Sequence, residues 1–183
     1  KLLTLGPSTL GIPLGKGKEA QRLKHVYDVS RLLYTFPKLS EIKESFKACI
    51  NQENSIQQKE ILEKDIIADT LNFCWSVVFS NDKPDLESCG AILAENARGI
   101  EPFSAHLFES GYSWKNLQID MARVALCISA AGEKNISDEQ FISALEGNGI
   151  RGVLPEDVLA INGEARKYWE TVSRWTEISF LQR

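Results

Sequence analysis

The sequence predicts an all-α protein, an irregular array of several helices, and three observations predict it. Apolar residues recur at three-and-four spacing through long stretches near residues 18–36, 59–79 and 114–131. Glycine and proline cluster between those stretches, where they end helices and shape loops. No set of stretches reads as a multi-strand sheet, and no internal repeat is evident.

Taken in order, residues 1–5 form a short apolar run that stops at Gly6 and Pro7. From there to residue 17, Pro7, Gly11, Pro13, Gly15 and Gly17 exclude regular structure and leave backbone N–H groups exposed. Residues 18–36 are the strongest helix, with Leu23, Val26, Tyr27, Leu33 and Tyr34 on the inward face and Pro37 as the stop. Its other face places Gln21, Lys24, Asp28, Arg31 and Thr35 in one stripe, because residues three and four apart are neighbours.

Ser40 is read as the N-cap of a second helix from 41 to about 51, with Ile42, Phe46, Cys49 and Ile50 inward and a polar bend or helix start over 51–58. Residues 59–79 read as a long helix, deeply packed after Leu71. After a turn over 81–85, a helix over 86–98 breaks or frays near Gly90 and ends at Gly99 as its C′ residue. A short element follows from Glu101 to His106 and closes at Gly111. Residues 114–131 are strongly helical, and Ala122, Ala125, Ala130 and Ala131 invite a close neighbour. Ser137 with Gln140 makes a capping box for a helix over 138–145. After a glycine-rich loop, a last helix runs from about 156 to 178. Trp169 and Trp175, six residues apart on it, fall on partly different faces, so that one anchors the core and the other an adjoining lobe.

A chain of 183 residues with 43% hydrophobic and 25% charged side chains suffices for one well-buried domain. We read it as a single helical domain over 1–183: a basic Gly/Pro loop segment (1–17), the main helix and its partner (18–53), and a helical body (54–183). It starts without an initiator methionine, as the C-terminal half of something longer would. Charge is unevenly placed. Residues 1–47 hold nine basic against four acidic side chains, a net of +5, and the remainder carries −9. A phosphate-bearing partner would therefore meet the first quarter, although a basic patch can equally be a solvated face.

Cys49, Cys74, Cys89 and Cys127 are far apart and form no C-x-x-C pair, so they read as reduced thiols in a cytoplasmic protein. The longest apolar runs fall well short of the ~20 residues needed to span a bilayer, so no membrane is involved. His25 and His106 have no partner at metal-ligand spacing. The loop over 6–17 is not a P-loop, because Gly11 and Gly15 are one residue too close and Gly17 follows Lys16. Lys16, Lys18 and the N-terminus of the main helix could still hold an anion together. An ion-pair stripe such as Lys24/Asp28 adds only about 0.2–0.5 kcal/mol to a helix, and Lys before Asp is the weaker order, so pattern alone favours a solvated face.

The string L-L-T-L-G-P-S-T-L-G-I-P (Leu2 to Pro13) and the string Q-R-L-K-H-V-Y-D-V-S-R-L-L (Gln21 to Leu33) resemble the C-terminal half of AbiEii/AbiGii-type nucleotidyltransferase-like proteins. In that family a T-(I/V)-G-(I/L) loop leads into a helix bearing a K-x-x-Y-D type motif. The run G-I-E-P-F from Gly99, H-L-F from His106 and I-D-M-A-R-V-A-L-C-I-S-A-A from Ile119 are similar to further family segments, so the resemblance covers patches of the first two-thirds. Many relatives carry a second acid just before the Y-D unit, where this chain has His25.

The resemblance implies a lobe that completes a nucleoside triphosphate cleft for transfer to an RNA or protein acceptor. Lys24 and Asp28 would be its catalytic pair. Lys16 and Lys18 would bind substrate through the anion-holding loop and helix start read above, and Arg31 is added from helical geometry; neither comes from the resemblance. The family's Mg2+ is held by carboxylates of an N-terminal half, near a Gly-Ser or Gly-Gly turn followed by Asp-x-(Asp/Glu), and no such pattern occurs here. The implied partners are that N-terminal half, the triphosphate, an RNA acceptor and an antitoxin, and the chain by itself would be inactive and bind no metal. The competing reading is a non-catalytic helical protein-interaction module.

Overall fold

A computed structural model describes residues 1–80, 84–107, 111–150 and 163–176. After a short 3-10 turn, Leu2–Thr4, it comprises seven α-helices among the described residues: α1 Glu19–Thr35, α2 Leu39–Gln57, α3 Glu63–Val78, α4 Ala91–Ser104, α5 Trp114–Gly132, α6 Asp138–Leu145 and α7 Gly163–Trp175. No strand occurs among them, so the all-α reading holds.

Helix α5 is the axis of the array. Fifteen of its nineteen residues are buried, and α1, α2, α3, α6 and α7 all pack on it. A helix apolar around most of its circumference is stable only when enclosed in this way, and its alanines let neighbours approach closely. Ser113 starts it with a capping box: its backbone N–H donates to Asn116 Oδ1 at 3.0 Å, and the Asn116 N–H returns a bond to Ser113 Oγ. One core runs from Leu3 to Val172, with Trp169 1% exposed beside Trp75 and Phe79. Trp175 packs partly buried against the same core, so both tryptophans serve one body.

Several boundaries differ from the sequence reading, each for a local reason. Ser40 lies inside α2, whose N-cap residue is Lys38. Its backbone N–H and hydroxyl instead donate to the Asp138 carboxylate at 2.7 and 2.9 Å, joining the starts of α2 and α6. Helix α2 continues through the polar stretch to Gln57 and stops where Gln58 turns left-handed (φ 50°). Cys49 is exposed on it and lies outside the core. Asn54 then grips both the N–H and the C=O of Ile61, which keeps residues 59–62 out of helix and delays α3 to Glu63. The capping box at Ser137 is present as read, while the expectations for 81–83, for the closing of the element before Gly111 over 108–110, and for the loop and last helix over 151–162 and 177–178 lie outside the described residues.

Gly99 is an interior residue of α4, and Glu101 to Ser104 belong to that same helix, which accommodates Pro102 near its end. A Cβ on Gly99 would lie 2.9 Å from Glu19 Cβ and 3.0 Å from the Glu19 backbone carbon. Glycine is there because α1 and α4 touch backbone to backbone. Gly99→Ala should therefore destabilise the fold by about 1–3 kcal/mol in urea titrations, while Gly90→Ala, with no atom within 4 Å of the added carbon, should stay close to wild type. Equal midpoints for the two variants would contradict this close approach.

Candidate functional site

The site begins with what each face of α1 meets. Leu23, Val26 and Leu33 are buried, and Tyr27 packs edge-on against Phe103 and Tyr112 at centroid distances of 5.6 and 5.9 Å. Tyr34 does not turn inward as read. It is 57% exposed, because the Arg123 guanidinium occupies the inner side of its ring at 4.8 Å.

On the polar stripe, Lys24 Nζ donates to Asp28 Oδ2 at 2.6 Å, and Lys1 Nζ donates to the same oxygen. The Lys24 side chain is 59% exposed and that of Asp28 19%. Burial pushes the Asp28 carboxyl upward, but the hydrogen bonds and charges of the two ammonium groups outweigh it and hold the carboxyl below its ordinary range. His25 sits beside them, its pKa lowered by burial and then by the Lys1 charge, against a hydrogen bond to the Thr4 backbone.

Lys16 and Lys18 are exposed on the loop that enters α1, flanked by Gly15 and Gly17 at φ 75° and 64°. Lys18 is the N-cap residue and supplies no side-chain cap, so the first N–H groups of α1 are not closed off by it. The loop itself is firmly built. Ser8 N–H, Thr9 N–H and Thr9 Oγ1 all donate to Asp69 Oδ2 at 2.9, 2.7 and 2.9 Å. Gly15 N–H donates to Glu95 Oε1 at 2.6 Å. Arg22, 1% exposed, donates to the Ile12 and Pro13 carbonyls and to Glu95 Oε2 at 3.3, 3.1 and 3.1 Å. Gly11 is needed here, since a Cβ would lie 2.4 Å from the Gly6 carbonyl oxygen.

Arg31 parts company with Lys24 and Asp28. Its guanidinium lies 4.8 Å from the Tyr27 ring centre and reaches Asp120 Oδ1 at 3.5 Å. Asp120, 1% exposed, also accepts Ser30 Oγ at 2.6 Å and Tyr112 Oη at 2.9 Å, with Arg123 Nη1 at 3.5 Å. Arg123 continues the chain to Tyr168 Oη at 3.2 Å and Glu164 Oε1 at 2.7 Å. Burial pushes the Asp120 carboxyl up despite these donors, and burial with the Asp120 charge drives the Tyr112 phenol far up as well. This network was not read from the sequence, although an Asp and an Arg three apart in the apolar middle of the helix were the available signal.

The structure thus joins Lys24 to Asp28, leaves Lys16 and Lys18 exposed at the start of the same helix with no ion pair among the described residues, and diverts Arg31 into a neighbouring network. Among the described residues no three His, Cys, Asp or Glu side chains gather as metal ligands, and one Asp28 oxygen is taken by two ammonium donors. No described helix is long and apolar enough to cross a membrane. Compared with protein-family models, curated proteins and solved structures, the chain matches none.

The Asp28 environment has a pH signature. Its folded pKa lies below the ordinary 3.8, so its contribution to stability is complete above that value and is lost as pH falls through the lower folded value. Asp28→Asn should lower the urea midpoint near neutral pH, and its gap from wild type should close below pH 3.8. A gap that stays constant to lower pH would show that the two ammonium groups do not bias this carboxyl.

Proposed function

We propose that this chain is the C-terminal helical lobe of an AbiEii/AbiGii-type nucleotidyltransferase-like protein, a cytoplasmic toxin of a toxin–antitoxin pair. In this reading it forms one wall of a cleft in which a nucleoside triphosphate is held for transfer to an RNA or protein acceptor. The observation that carries the reading is the clamped pair on α1: Lys1 and Lys24 both fix Asp28 Oδ2, while most of the Lys24 side chain faces solvent.

Phosphoryl chemistry needs positioned positive charge more than covalent help from the protein. Lys16 and Lys18 stand beside the start of α1, where free N–H groups and the helix dipole favour an anion. Lys24, about one and a half turns further on, would meet the triphosphate from the same side. Asp28 sets the direction of the Lys24 ammonium, and no described donor reaches its Oδ1, which leaves that oxygen for an acceptor hydroxyl. Arg31, committed to Asp120 and Tyr27, would act on substrate only by leaving that contact. The Mg2+ of the reaction belongs to carboxylates of the N-terminal half, and an antitoxin would bind the assembled protein.

The non-catalytic interaction module is the second reading. What favours it is that neither Lys24 nor Asp28 lines the groove that the helices α1 and α2 enclose.

The gene product that carries this sequence, given labelled nucleoside triphosphates, Mg2+ and total RNA or protein, should label an acceptor. Lys24→Ala and Asp28→Ala should keep wild-type helicity and lose transfer on the order of a hundredfold, with Lys24→Arg partly restored. Unchanged transfer in both alanine variants would remove the site, and an inactive wild type would favour the interaction module.

A further inference from the structure

The turn that leaves α6 carries the pair Asn148-Gly149, and packing fixes the glycine in it. A Cβ on Gly149 would lie 2.4 Å from Thr171 Oγ1, 2.9 Å from Thr171 Cγ2 and 3.0 Å from Ala144 Cβ, so no larger residue fits there between α6 and α7. Thr171 is 1% exposed and β-branched, which leaves it little freedom to swing aside. The backbone of Asn148 is held as well. Its N–H donates to the Ser143 carbonyl at 2.9 Å, and Ser143 Oγ donates to the Asn148 carbonyl at 3.3 Å.

This clamp leaves the reactive groups open. The Asn148 side chain is exposed, and neither its amide nor the Gly149 N–H has a hydrogen-bond partner among the described residues. A backbone nitrogen that follows asparagine attacks the side-chain amide carbon once it has lost its proton, and a glycine there puts no Cβ in the way of ring closure. The Ser143 hydroxyl acts on the first requirement. It withdraws electron density from the carbonyl of the same peptide unit whose nitrogen must ionise, and so makes that N–H more acidic.

We propose that Asn148 is a self-modification site, at which the Gly149 nitrogen closes a succinimide on Asn148 Cγ with assistance from the Ser143 hydroxyl. Hydroxide takes the Gly149 amide proton, and the N–Cγ bond forms. The Cγ–Nδ2 bond then breaks, and the leaving nitrogen takes a proton from water to depart as ammonia. Water opens the imide at either carbonyl, giving aspartate or isoaspartate. In isoaspartate the chain runs through the former side chain and gains a methylene just before Gly149, where contact with Thr171 and Ala144 leaves no room for it. Isoaspartate at 148 therefore weakens the docking of α7 on α6. The inference does not rest on the nucleotidyltransferase reading.

The test is incubation of the 183-residue chain at mildly alkaline pH, folded and in urea, followed by peptide mapping that separates asparagine, aspartate and isoaspartate forms. Asn162, which also precedes a glycine, is the reference within the same sample. Asn148 should convert in the folded chain, faster as pH rises. Ser143→Ala should slow this roughly three- to tenfold, the rate equivalent of one hydrogen bond, and leave Asn162 unchanged. Ser143→Thr, which keeps the hydroxyl, should restore the rate, and in urea all three chains should react alike. Isoaspartate at 148 should lower the urea midpoint, whereas Asn148→Asp, which adds the charge without the methylene, should stay close to wild type. The proposal is overturned if Asn148 converts only in urea, if Ser143→Ala converts at the wild-type rate when folded, or if protein carrying isoaspartate at 148 keeps the wild-type midpoint.

Discussion

A carboxylate drawn into the most enclosed helix constrains how the rest can pack. Asp120 on α5 is 1% exposed, and a charge so placed is tolerated only when its oxygens are met by well-oriented donors. Those donors come from Ser30 and Arg31 of α1, from Tyr112 before α5 begins, and from Arg123 one turn along. Arg123 in turn reaches Tyr168 and Glu164 of α7. A sliding or rotation of α1 or α7 along α5 would strand a buried charge. Apolar packing drives the array together, and this network selects one register for it.

The same logic fixes the N-terminal loop. Arg22 and Glu95 form a second buried pair, and together they use the Ile12 and Pro13 carbonyls and the Gly15 N–H. Asp69 holds the turn at Ser8 and Thr9 from the other side. A segment dense in glycine and proline is thereby given one shape, and it delivers Lys16 and Lys18 to the start of α1. The consequence for electrostatics is a division of labour. Arg22 and Arg123 meet the buried acids Glu95 and Asp120, while Lys16 and Lys18 stand exposed at the surface and Lys24 pairs there with Asp28.

What could be read in advance follows from the range of each interaction. Helix α1 was legible within a residue at either end, because its periodicity and the flanking Pro37 are local signals. The capping box at Ser137 was legible for the same reason. Ser40 was misread because its partner, Asp138, is ninety-eight residues away. Gly99 reads as a helix end in the sequence, because its actual role, close contact with Glu19 on another helix, carries no local signal. Arg22 sits four residues before Val26, on the buried side of α1, and that offset was the visible sign that it was not a surface cation. For the site, the Lys24–Asp28 contact follows from helical spacing, whereas the Lys1 clamp and the capture of Arg31 by Asp120 depend on the tertiary fold.

The claim that these surface ammonium groups form one polyanion site is tested most directly by amide-resolved NMR of this chain during titration with a nucleoside triphosphate. The account predicts saturable, salt-sensitive shifts concentrated at residues 15–19 and 24–28, with little change around Asp120. Shifts spread evenly over the basic residues, or none at millimolar triphosphate, would contradict it.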